Sequence, residues 1–358
     1  MSITLTHIAH LRLSAQQLLT PSFTTANDLV SWLGAVQAQE YAQTIWGLGL
    51  RLPFRLASDI EQEFTEGRIV RTHLLRPTWH FVTAEDIQWM LALTAPRVHA
   101  VNKFMYRQTE LNESIFRRCN ELIIQSLQGG KQLTRDELNE VFKQHSIEAS
   151  GHRLSYIMMH SELNGTICSG AKKGNQHTYA LISERIATAP ELSIDEALRE
   201  LTKRFFQSRC PATINDYSVW SGLTLTDCRK GIYSLGKELI SHQLEGAVYY
   251  FTQQQAEISD KPTRMLLLPM YDEYVMGYKD RSAIFVNRNN LKPKPKSLHN
   301  CIIVWNGQVI GTWKRTVTSK TMNVEYQFFE KLSKEQNLAF EQALEDLENF
   351  SKLKLSLK

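Results

Sequence analysis

The fold class follows from the stretch Ser114-Ile115-Phe116-Arg117-Arg118-Cys119-Asn120-Glu121-Leu122-Ile123-Ile124-Gln125-Ser126-Leu127. Its apolar residues recur every three or four positions, which predicts an amphipathic helix, and the glycines at 129 and 130 end it. A second helix is predicted from Thr134, because Thr134 and Glu137 have the spacing of a capping box. A further helix and two strands follow, and a basic, glycine-containing loop at 170–176 joins the strands. This order of elements predicts a winged helix-turn-helix with a basic wing.

The same order is predicted again in the next part of the chain. Ser193 and Glu196 cap an amphipathic helix, a second helix begins in the stretch 210–213, and its partner begins near Thr224. The apolar run at 247–251 then has the composition of a strand. Residues 111–190 and 191–258 are therefore expected to be two winged-helix units.

The beginning of the chain has a less regular version of the pattern. Thr25 and Asp28 cap a helix that leads into residues 34–40, and the stretch 76–82 has the composition of a wing strand. We therefore expect a first winged-helix unit at residues 1–110.

Strand patterns replace helical ones after about residue 260. Asn306-Gly307 is a strong hairpin signal, and a final helix, capped by Ser333 with Gln336, has one apolar face. The candidate strands are residues 265–269, 283–286, 301–305 and 309–313. Residues 259–358 are therefore predicted to form a small β-barrel or curled sheet, and the chain to be an α+β protein with tandem winged-helix repeats.

The composition is that of an ordinary globular protein. With 42% hydrophobic and 22% charged residues among 358, the chain is long enough for two or three packed units. It has no apolar run of membrane-spanning length and no signal-peptide pattern at its start, so we expect a cytoplasmic protein. Its scattered cysteines and histidines have no metal-ligand spacing. We expect a monomer with no metal and no other cofactor.

The positive charge is concentrated in one region. Between Arg281 and Lys320 the chain has eight basic residues and no acidic one, which favours a polyanionic partner such as double-stranded DNA. The alternative is a solvated loop, because prolines alternate with lysines at 292–296 and keep that stretch extended and exposed.

Gln37 and Gln39, which flank one small residue after an apolar run, are the strongest candidates for catalysis. Carboxamides both donate and accept hydrogen bonds, so two that converge can hold a water molecule without adding a charge. That suits a reaction whose leaving group is already cationic. On an ideal helix, residues two apart point in nearly opposite directions, so a shared water requires a helix end or extended backbone. We predict such a break here; the alternative is two polar residues that close a helix.

Taken together, the motifs resemble those of the AlkZ-like winged-helix DNA glycosylases, which excise alkylated bases and unhook interstrand crosslinks. The resemblance covers nearly the whole chain and rests on these stretches: QAQ at 37–39, RTHLLRPTWHFV at 71–82, PAT at 211–213, WSGLT at 220–224, LLPMYDEY at 267–274, GYKDR at 277–281 and GQVIGTW at 307–313. It implies a concave scaffold of tandem winged helices, closed by a carboxy-terminal barrel, in which Gln37 and Gln39 match a catalytic Gln-x-Gln pair. The sequence departs from the family pattern at Pro77, where a glycine is commoner, and at Met270 beside Tyr271.

The chemistry of alkylated purines agrees with this resemblance. A purine alkylated at N7 or N3 carries a positive charge that weakens its glycosidic bond, and its departure leaves an oxocarbenium-like sugar. The reaction then needs a placed water and a hold on the duplex. No lysine near Gln37 in the sequence is placed to form a Schiff base, so we expect a monofunctional glycosylase. A crosslinked base cannot be fully extruded, so we expect an open surface rather than a deep pocket.

Several polar residues are candidate DNA contacts. Alternation along a strand predicts Arg76, Thr78 and His80 on one face, where they contact DNA or the active site, or else form a structural polar layer. Others come from the wing and from the basic region, where phosphates are the expected partners: Lys172, Lys173, Gln176, Lys314 and Arg315.

Three alternatives stay open. Asp272 and Glu273 could be the acid pair of an independent hydrolase, although ion pairs with Lys279 and Arg281 are the commoner role of such carboxylates. The chain could be a non-catalytic regulator, but its predicted helix at 153–160 has few base-reading side chains. It could also be an inactive paralogue that keeps the scaffold as an interaction module.

Overall fold

Three short antiparallel sheets with the same strand order recur before residue 253. A computed structural model describes residues 3–187, 191–253, 264–288, 301–318 and 320–357. In each of these three sheets, an early short strand pairs with the second strand of a hairpin, and the first strand of that hairpin forms the other edge. The repeat of helices followed by a hairpin is therefore present in the structure.

The first of these segments carries the candidate glutamines. Its elements are α1 (Leu5–Ala15), α2 (Ala26–Leu33), β1 (Val36–Gln37), α3 (Tyr41–Gly49), α4 (Ala57–Glu66), β2 (Ile69–Leu74), β3 (Thr78–Thr83) and α5 (Ile87–Gln108). Its sheet has the order β1-β3-β2. The predicted wing strand is β3, which begins two residues later than expected.

The second and third segments follow the same plan. The second contains α6 (Glu113–Leu127), β4 (Leu133–Thr134), α7 (Arg135–Gln144), α8 (Gly151–Leu163), β5 (Ile167–Ser169), β6 (Thr178–Leu181) and α9 (Ile182–Arg185). The third contains α10 (Ile194–Arg209), β7 (Ala212–Thr213), α11 (Ile214–Ser221), α12 (Leu225–Leu235), β8 (Leu239–Leu244) and β9 (Ala247–Thr252). The capping boxes predicted at Thr134 and Ser193 are both formed.

The carboxy-terminal segment forms a curled sheet with a helix after it. Its elements are β10 (Met265–Leu268), α13 (Glu273–Met276), β11 (Ile302–Trp305), β12 (Gln308–Val317), β13 (Thr321–Phe328), α14 (Lys334–Ser351) and β14 (Lys354–Leu357). The hairpin at Asn306-Gly307 is confirmed, with φ values of +47° and +80°. The strand order β10-β11-β12-β13-β14 is open, so among the described residues the sheet is curled rather than closed into the predicted barrel.

One predicted strand is wrong. Residues 283–286 lie in the segment Ser282–Arg288, which consists of two 3₁₀ turns separated by a kink at Phe285. Asp280 starts it, because its Oδ1 accepts a hydrogen bond of 2.9 Å from the backbone N–H of Ser282. A short apolar run is too short for its periodicity to distinguish a strand from a helical turn. Here the cap at Asp280 favours the helical turn.

Two large hydrophobic clusters cross the predicted unit boundaries. One joins Trp46 of the first segment to Leu267 and Phe350 of the carboxy-terminal segment. The other joins β2 to Trp220 of the third segment and reaches the second. The four units therefore share cores, and the boundaries 1–110, 111–190, 191–258 and 259–358 stay a prediction from element order. Within the described ranges, no helix is long and apolar enough to cross a membrane.

A buried ion pair joins the third segment to the end of α2 and to the carboxy-terminal segment. Arg209 and Glu273 are 0% and 1% exposed, and Nη2 of Arg209 lies 2.7 Å from Oε2 of Glu273. Arg209 also donates to the carbonyl oxygens of Leu33 and Ala35, at 2.7 and 3.0 Å. The other oxygen of Glu273 accepts a hydrogen bond of 2.8 Å from the backbone N–H of Gln37. The pair thus fixes the chain between α2 and β1.

A close backbone contact fixes the turn between β2 and β3. Gly222 ends α11 with φ +72°, and a Cβ at this position would lie 2.3 Å from the carbonyl oxygen of Leu75. Leu75 has φ +60° and leads directly to Arg76. The position of Arg76 therefore depends on a site in the third segment where only glycine fits.

We expect Gly222→Ala to destabilise the protein more than Gly130→Ala. Gly130 has nearly the same φ, +73°, but a Cβ there would meet nothing within 4 Å. The control should therefore cost only the backbone strain, about 1 kcal/mol, whereas Gly222→Ala adds an overlap that costs about 1 to 3 kcal/mol more. Chemical denaturation measures both free energies of unfolding. Equal losses would show that the contact with Leu75 relaxes freely.

We also expect the Arg209–Glu273 pair to show strong coupling in a double-mutant cycle. Glu273→Gln or Arg209→Met alone leaves one buried charge without its partner, which costs about 3 to 5 kcal/mol. The double variant should lose at least about 2 kcal/mol less than the sum of the two single losses. Lys143 and Glu140, an ion pair that is 57% and 62% exposed, provide the control and should couple weakly. Additive losses at Arg209 and Glu273 would contradict this expectation.

Candidate active site

Gln37 lies in extended backbone immediately after a helix. α2 ends at Leu33, and Gly34, with φ +74° and ψ −60°, redirects the chain. Gln37 pairs with His80 of β3, and the backbone N–H of Ala38 donates to a carbonyl of the same strand at 2.7 Å. The predicted break in the helix is present. Gln37 ends β1 and Gln39 lies in a bend two residues later, so alternation along the strand does not fix the direction of the Gln39 side chain.

The side chain of Gln37 is almost completely buried, and its oxygen is already bonded. Oε1 accepts a hydrogen bond of 2.9 Å from Nη2 of Arg76, and the backbone carbonyl accepts one of 3.1 Å from the hydroxyl of Thr44. Among the described residues, Nε2 has no hydrogen-bond partner. The group that Gln37 can offer to another molecule is therefore an N–H donor.

Gln39 is half-buried and is held through its backbone. Arg71 donates from Nη2 to the carbonyl oxygen of Gln39 at 3.3 Å and from Nε to that of Ala38 at 2.9 Å. Its guanidinium lies 4.1 Å from the ring centroid of Trp79, and burial lowers its pKa. Arg71 was not among the predicted DNA contacts, because only the pairing register of the sheet brings its side chain to the glutamines.

The predicted face with Arg76, Thr78 and His80 is correct in part. Arg76 lies in the turn before β3 rather than in the strand, and from there it reaches Gln37. Thr78 is half-buried. His80 is 0% exposed, so the predicted direct contact with DNA does not fit this structure. Burial and the charge of Arg76 lower the pKa of His80 well below the ordinary value of 6.5.

A polar row crosses the interior face of this sheet. His80 lies directly opposite Gln37 on one side and opposite Thr72 on the other. Several side-chain atoms here are buried without a hydrogen-bond partner among the described residues: Nε2 of His80, Oγ1 of Thr72, Oγ1 of Thr78 and Nε of Arg76. Thr72 was not predicted as a site residue, because nothing in its spacing shows which strand lies beside it.

The wing lysines have acidic partners in the structure. Nζ of Lys172 lies 2.8 Å from a carboxylate oxygen of Glu61, and that of Lys173 lies 2.6 Å from one of Glu137. Gln176 is exposed and closes the tip of the wing through backbone hydrogen bonds with Lys173. A DNA phosphate would therefore have to compete with a glutamate for each of these lysines.

The basic region is described only in part. Lys314 is 69% exposed and pairs with Glu325 at 2.9 Å. Arg315 donates to the carbonyl oxygen of Ala42 at 2.7 Å, and burial lowers its pKa. The alternating lysines and prolines at 292–296 lie outside the described residues.

Asp272 and Glu273 form ion pairs, but with other partners than Lys279 and Arg281. Asp272 is bonded to both terminal nitrogens of Arg51 at 2.8 Å, and Glu273 is bonded to Arg209. Both carboxylates are buried, and all four of their oxygens accept hydrogen bonds. The predicted partners were wrong because proximity along the chain says nothing about the distant segments that supply the arginines.

The cavity beside Gln37 is small. It is also lined by Thr44, Met270 and Tyr271, and its volume is about 10 Å³. That is close to the space one water molecule needs and far below the size of a purine. This cavity is thus not a pocket for an extruded base.

The chain matches known proteins over most of its length. A family model described as DNA glycosylase AlkZ-like matches residues 30–350. An interstrand DNA cross-link repair glycosylase from Streptomyces sahachiroi is 24% identical over 309 residues, which cover 81% of this chain and 82% of that protein. The solved structure of the Streptomyces sahachiroi DNA glycosylase AlkZ superposes with a TM-score of 0.78 and 20% identity over 100% of both chains. With its fold and motifs also in agreement, the chain belongs to the AlkZ-like DNA glycosylase family.

Proposed function

We propose that this protein is a DNA glycosylase that hydrolyses the N-glycosidic bond of cationic alkylated purines, N7-alkylguanine and also N3-alkyladenine, and that it unhooks interstrand crosslinks. The observation that carries the proposal is the geometry of Gln37. Its backbone is held by Glu273 and its amide oxygen by Arg76, in extended chain that leads to Gln39. The name of the Streptomyces sahachiroi relative supports crosslinks as substrates.

The two glutamines would have different tasks in this reaction. Because Arg76 occupies Oε1 of Gln37, that side chain presents N–H groups, whereas Gln39 has both its amide oxygen and its amide nitrogen to offer. Gln37 would donate a hydrogen bond to the oxygen of the attacking water, and Gln39 would accept a hydrogen bond from that water. Positioning of this kind supplies much of the rate of a reaction whose bond is already weak.

The bond changes balance without an acid or a metal. The bond between C1′ and the purine nitrogen breaks, and its electron pair neutralises the positive charge of the alkylated base. The water oxygen bonds to C1′ of the oxocarbenium-like sugar, and the extra proton passes to solvent. The described side chains bonded to Gln37 are those of Glu273, Thr44 and Arg76, and none is an amine. A monofunctional reaction agrees with this set, since a lyase needs an amine that attacks the sugar.

The three repeated segments would serve as winged-helix units that hold the duplex. Their common strand order supports this assignment. The size of the cavity beside Gln37, about 10 Å³, supports an open site in which the damaged base stays outside the protein interior. Such a site suits a crosslinked base, which is tied to the opposite strand.

DNA phosphates would replace the acidic partners of the surface cations. Lys172, Lys173 and Lys314 each pair with a glutamate in the free protein. Lys173 and Lys314 are exposed and Lys172 is half-buried, so each pair is worth about 1 kcal/mol and a phosphate can compete for the lysine. Arg76 would sit nearest to the sugar, with Gln176 and Arg315 as further contacts.

We expect Gln37→Ala and Gln39→Ala each to slow the release of N7-methylguanine by about 100-fold or more in single-turnover assays, because each removes a group that positions the attacking water. Affinity for the same duplex should stay within about three-fold of wild type. Gln125→Ala, on the exposed face of α6, is the matched control and should release base at the normal rate.

A double variant that releases N7-methylguanine as fast as wild type would remove the glutamines from the mechanism. If wild type releases no base from any alkylated or crosslinked duplex but footprints one specific DNA sequence, the protein is a non-catalytic regulator instead.

We expect Lys314→Ala to reduce the salt dependence of DNA binding. Loss of one phosphate contact should lower the slope of log affinity against log salt concentration by about 0.9. Lys143→Ala removes another exposed lysine that also pairs with a glutamate, and it should leave the slope unchanged. Fluorescence anisotropy at several salt concentrations measures both slopes. An unchanged slope in Lys314→Ala would place that lysine outside the DNA interface.

A further inference from the structure

His80 has no role in the proposed reaction, although it lies next to Gln37 in the sheet. It lies in β3, directly across from Gln37 in β1 and from Thr72 in β2. Residues that are directly opposite in antiparallel strands have their side chains on the same face, with Cβ atoms about 5 Å apart. The imidazole therefore lies between the proposed catalytic glutamine and a threonine hydroxyl.

The hydrogen bonds of His80 define its tautomer. Nδ1 lies 2.9 Å from the carbonyl oxygen of Thr78. A carbonyl can only accept, so Nδ1 carries the hydrogen and Nε2 of the neutral ring carries a lone pair. Burial, followed by the charges of Arg76, His73 and Arg209, opposes protonation and lowers the pKa of His80, while the bond to Thr78 opposes this trend. Nε2 of His80 is thus a hydrogen-bond acceptor in a neutral ring.

The polar atoms around Nε2 are buried and lack partners. Nε2 itself and the hydroxyls of Thr72 and Thr78 make no hydrogen bond within the described residues, although His80 and Thr72 are 0% exposed. A buried acceptor that stays unbonded costs about 1 to 3 kcal/mol. Unbonded polar atoms that are buried at neighbouring positions of one sheet face can be satisfied by an internal water, which needs two to four polar partners.

We propose that Nε2 of His80, together with the hydroxyls of Thr72 and Thr78, binds an internal water molecule behind Gln37, and that His80 is thereby a positioning residue for the reaction. This inference rests on the proposed function. The water donates a hydrogen bond to Nε2 of His80 and accepts one from Nε2 of Gln37, while Arg76 binds the amide oxygen of Gln37. With both ends of the amide bound, the second N–H of Gln37 points to the attacking water and the amide cannot flip.

A pair of substitutions separates this role from simple packing. His80→Asn keeps a donor for the carbonyl of Thr78 but is too short to present an acceptor at the position of Nε2. His80→Gln presents its amide oxygen at that position. We expect His80→Asn to slow single-turnover release of N7-methylguanine by about ten-fold and His80→Gln to stay within about three-fold of wild type. Both should bind the duplex with normal affinity, and both should lose similar amounts of thermal stability.

Thr72 provides a milder test in case both histidine variants fail to fold. Thr72→Val removes the hydroxyl with little change in shape, and Thr72→Ser keeps it. We expect Thr72→Val to release base more slowly than Thr72→Ser although the two have similar melting temperatures. Rates that follow stability in all four variants, or a His80→Asn variant as fast as wild type, would overturn the proposal.

A measurement without substrate keeps the result separate from the proposed function. In protein with ¹⁵N-labelled histidine, the resonance that His80→Asn removes should show a protonated Nδ1 and an unprotonated Nε2 between pH 5.5 and 8. Thr72→Val should shift that Nε2 resonance. A hydrogen on Nε2, or titration within this range, would overturn the proposal. If wild type releases no base but the resonance behaves as expected, the proposed function fails while the buried site stands.

Discussion

A guanidinium and a carboxylate with almost no exposed surface, Arg209 and Glu273, hold the parts of this protein in register. Removing two charges from water costs several kcal/mol for each ion, and only well-placed hydrogen bonds repay that cost. Here Arg209 binds two carbonyls at the end of α2, and Glu273 binds the N–H of Gln37 and the indole N–H of Trp220. The position of Gln37 is therefore set by a residue 236 positions later in the chain. The turn that carries Arg76 is set in a similar way by Gly222, so the positions of both Glu273 and Arg76 beside Gln37 depend on packing between distant segments.

Features that depend on neighbouring residues were predictable from the sequence. Capping boxes at Thr134, Ser193 and Ser333 are formed as predicted, and so is the hairpin at Asn306-Gly307. Their signals lie within three or four residues of the feature they specify. Residues 283–286 were misjudged because a short apolar run is compatible with either state. The sequence left open whether the final sheet is a barrel or a curled sheet, because pairing between edge strands leaves no local signal.

The candidate site was predictable in its residues but not in its connections. Gln37 was identified from its spacing to Gln39, and Arg76 and His80 were identified together from the alternation along one predicted strand. Only the pairing of β1, β2 and β3 shows that Arg76 binds the amide of Gln37 and that His80 lies beside it in the interior. The arginines that pair with Asp272 and Glu273 come from the turn after α3 and from the end of α10, more than sixty residues away in sequence, and no spacing rule reaches that far.

The space beside Gln37 has a further consequence for fidelity. The cavity beside Gln37 has room for one water and for no base, so it does not recognise damage by the shape of the purine. Under the proposed function, discrimination falls to the glycosidic bond: an undamaged guanine survives the encounter because its bond does not break in the lifetime of the complex. The size of the alkyl group then has little effect on the rate of excision. Small and large lesions with the same ring charge are processed in the order of their spontaneous rates of depurination.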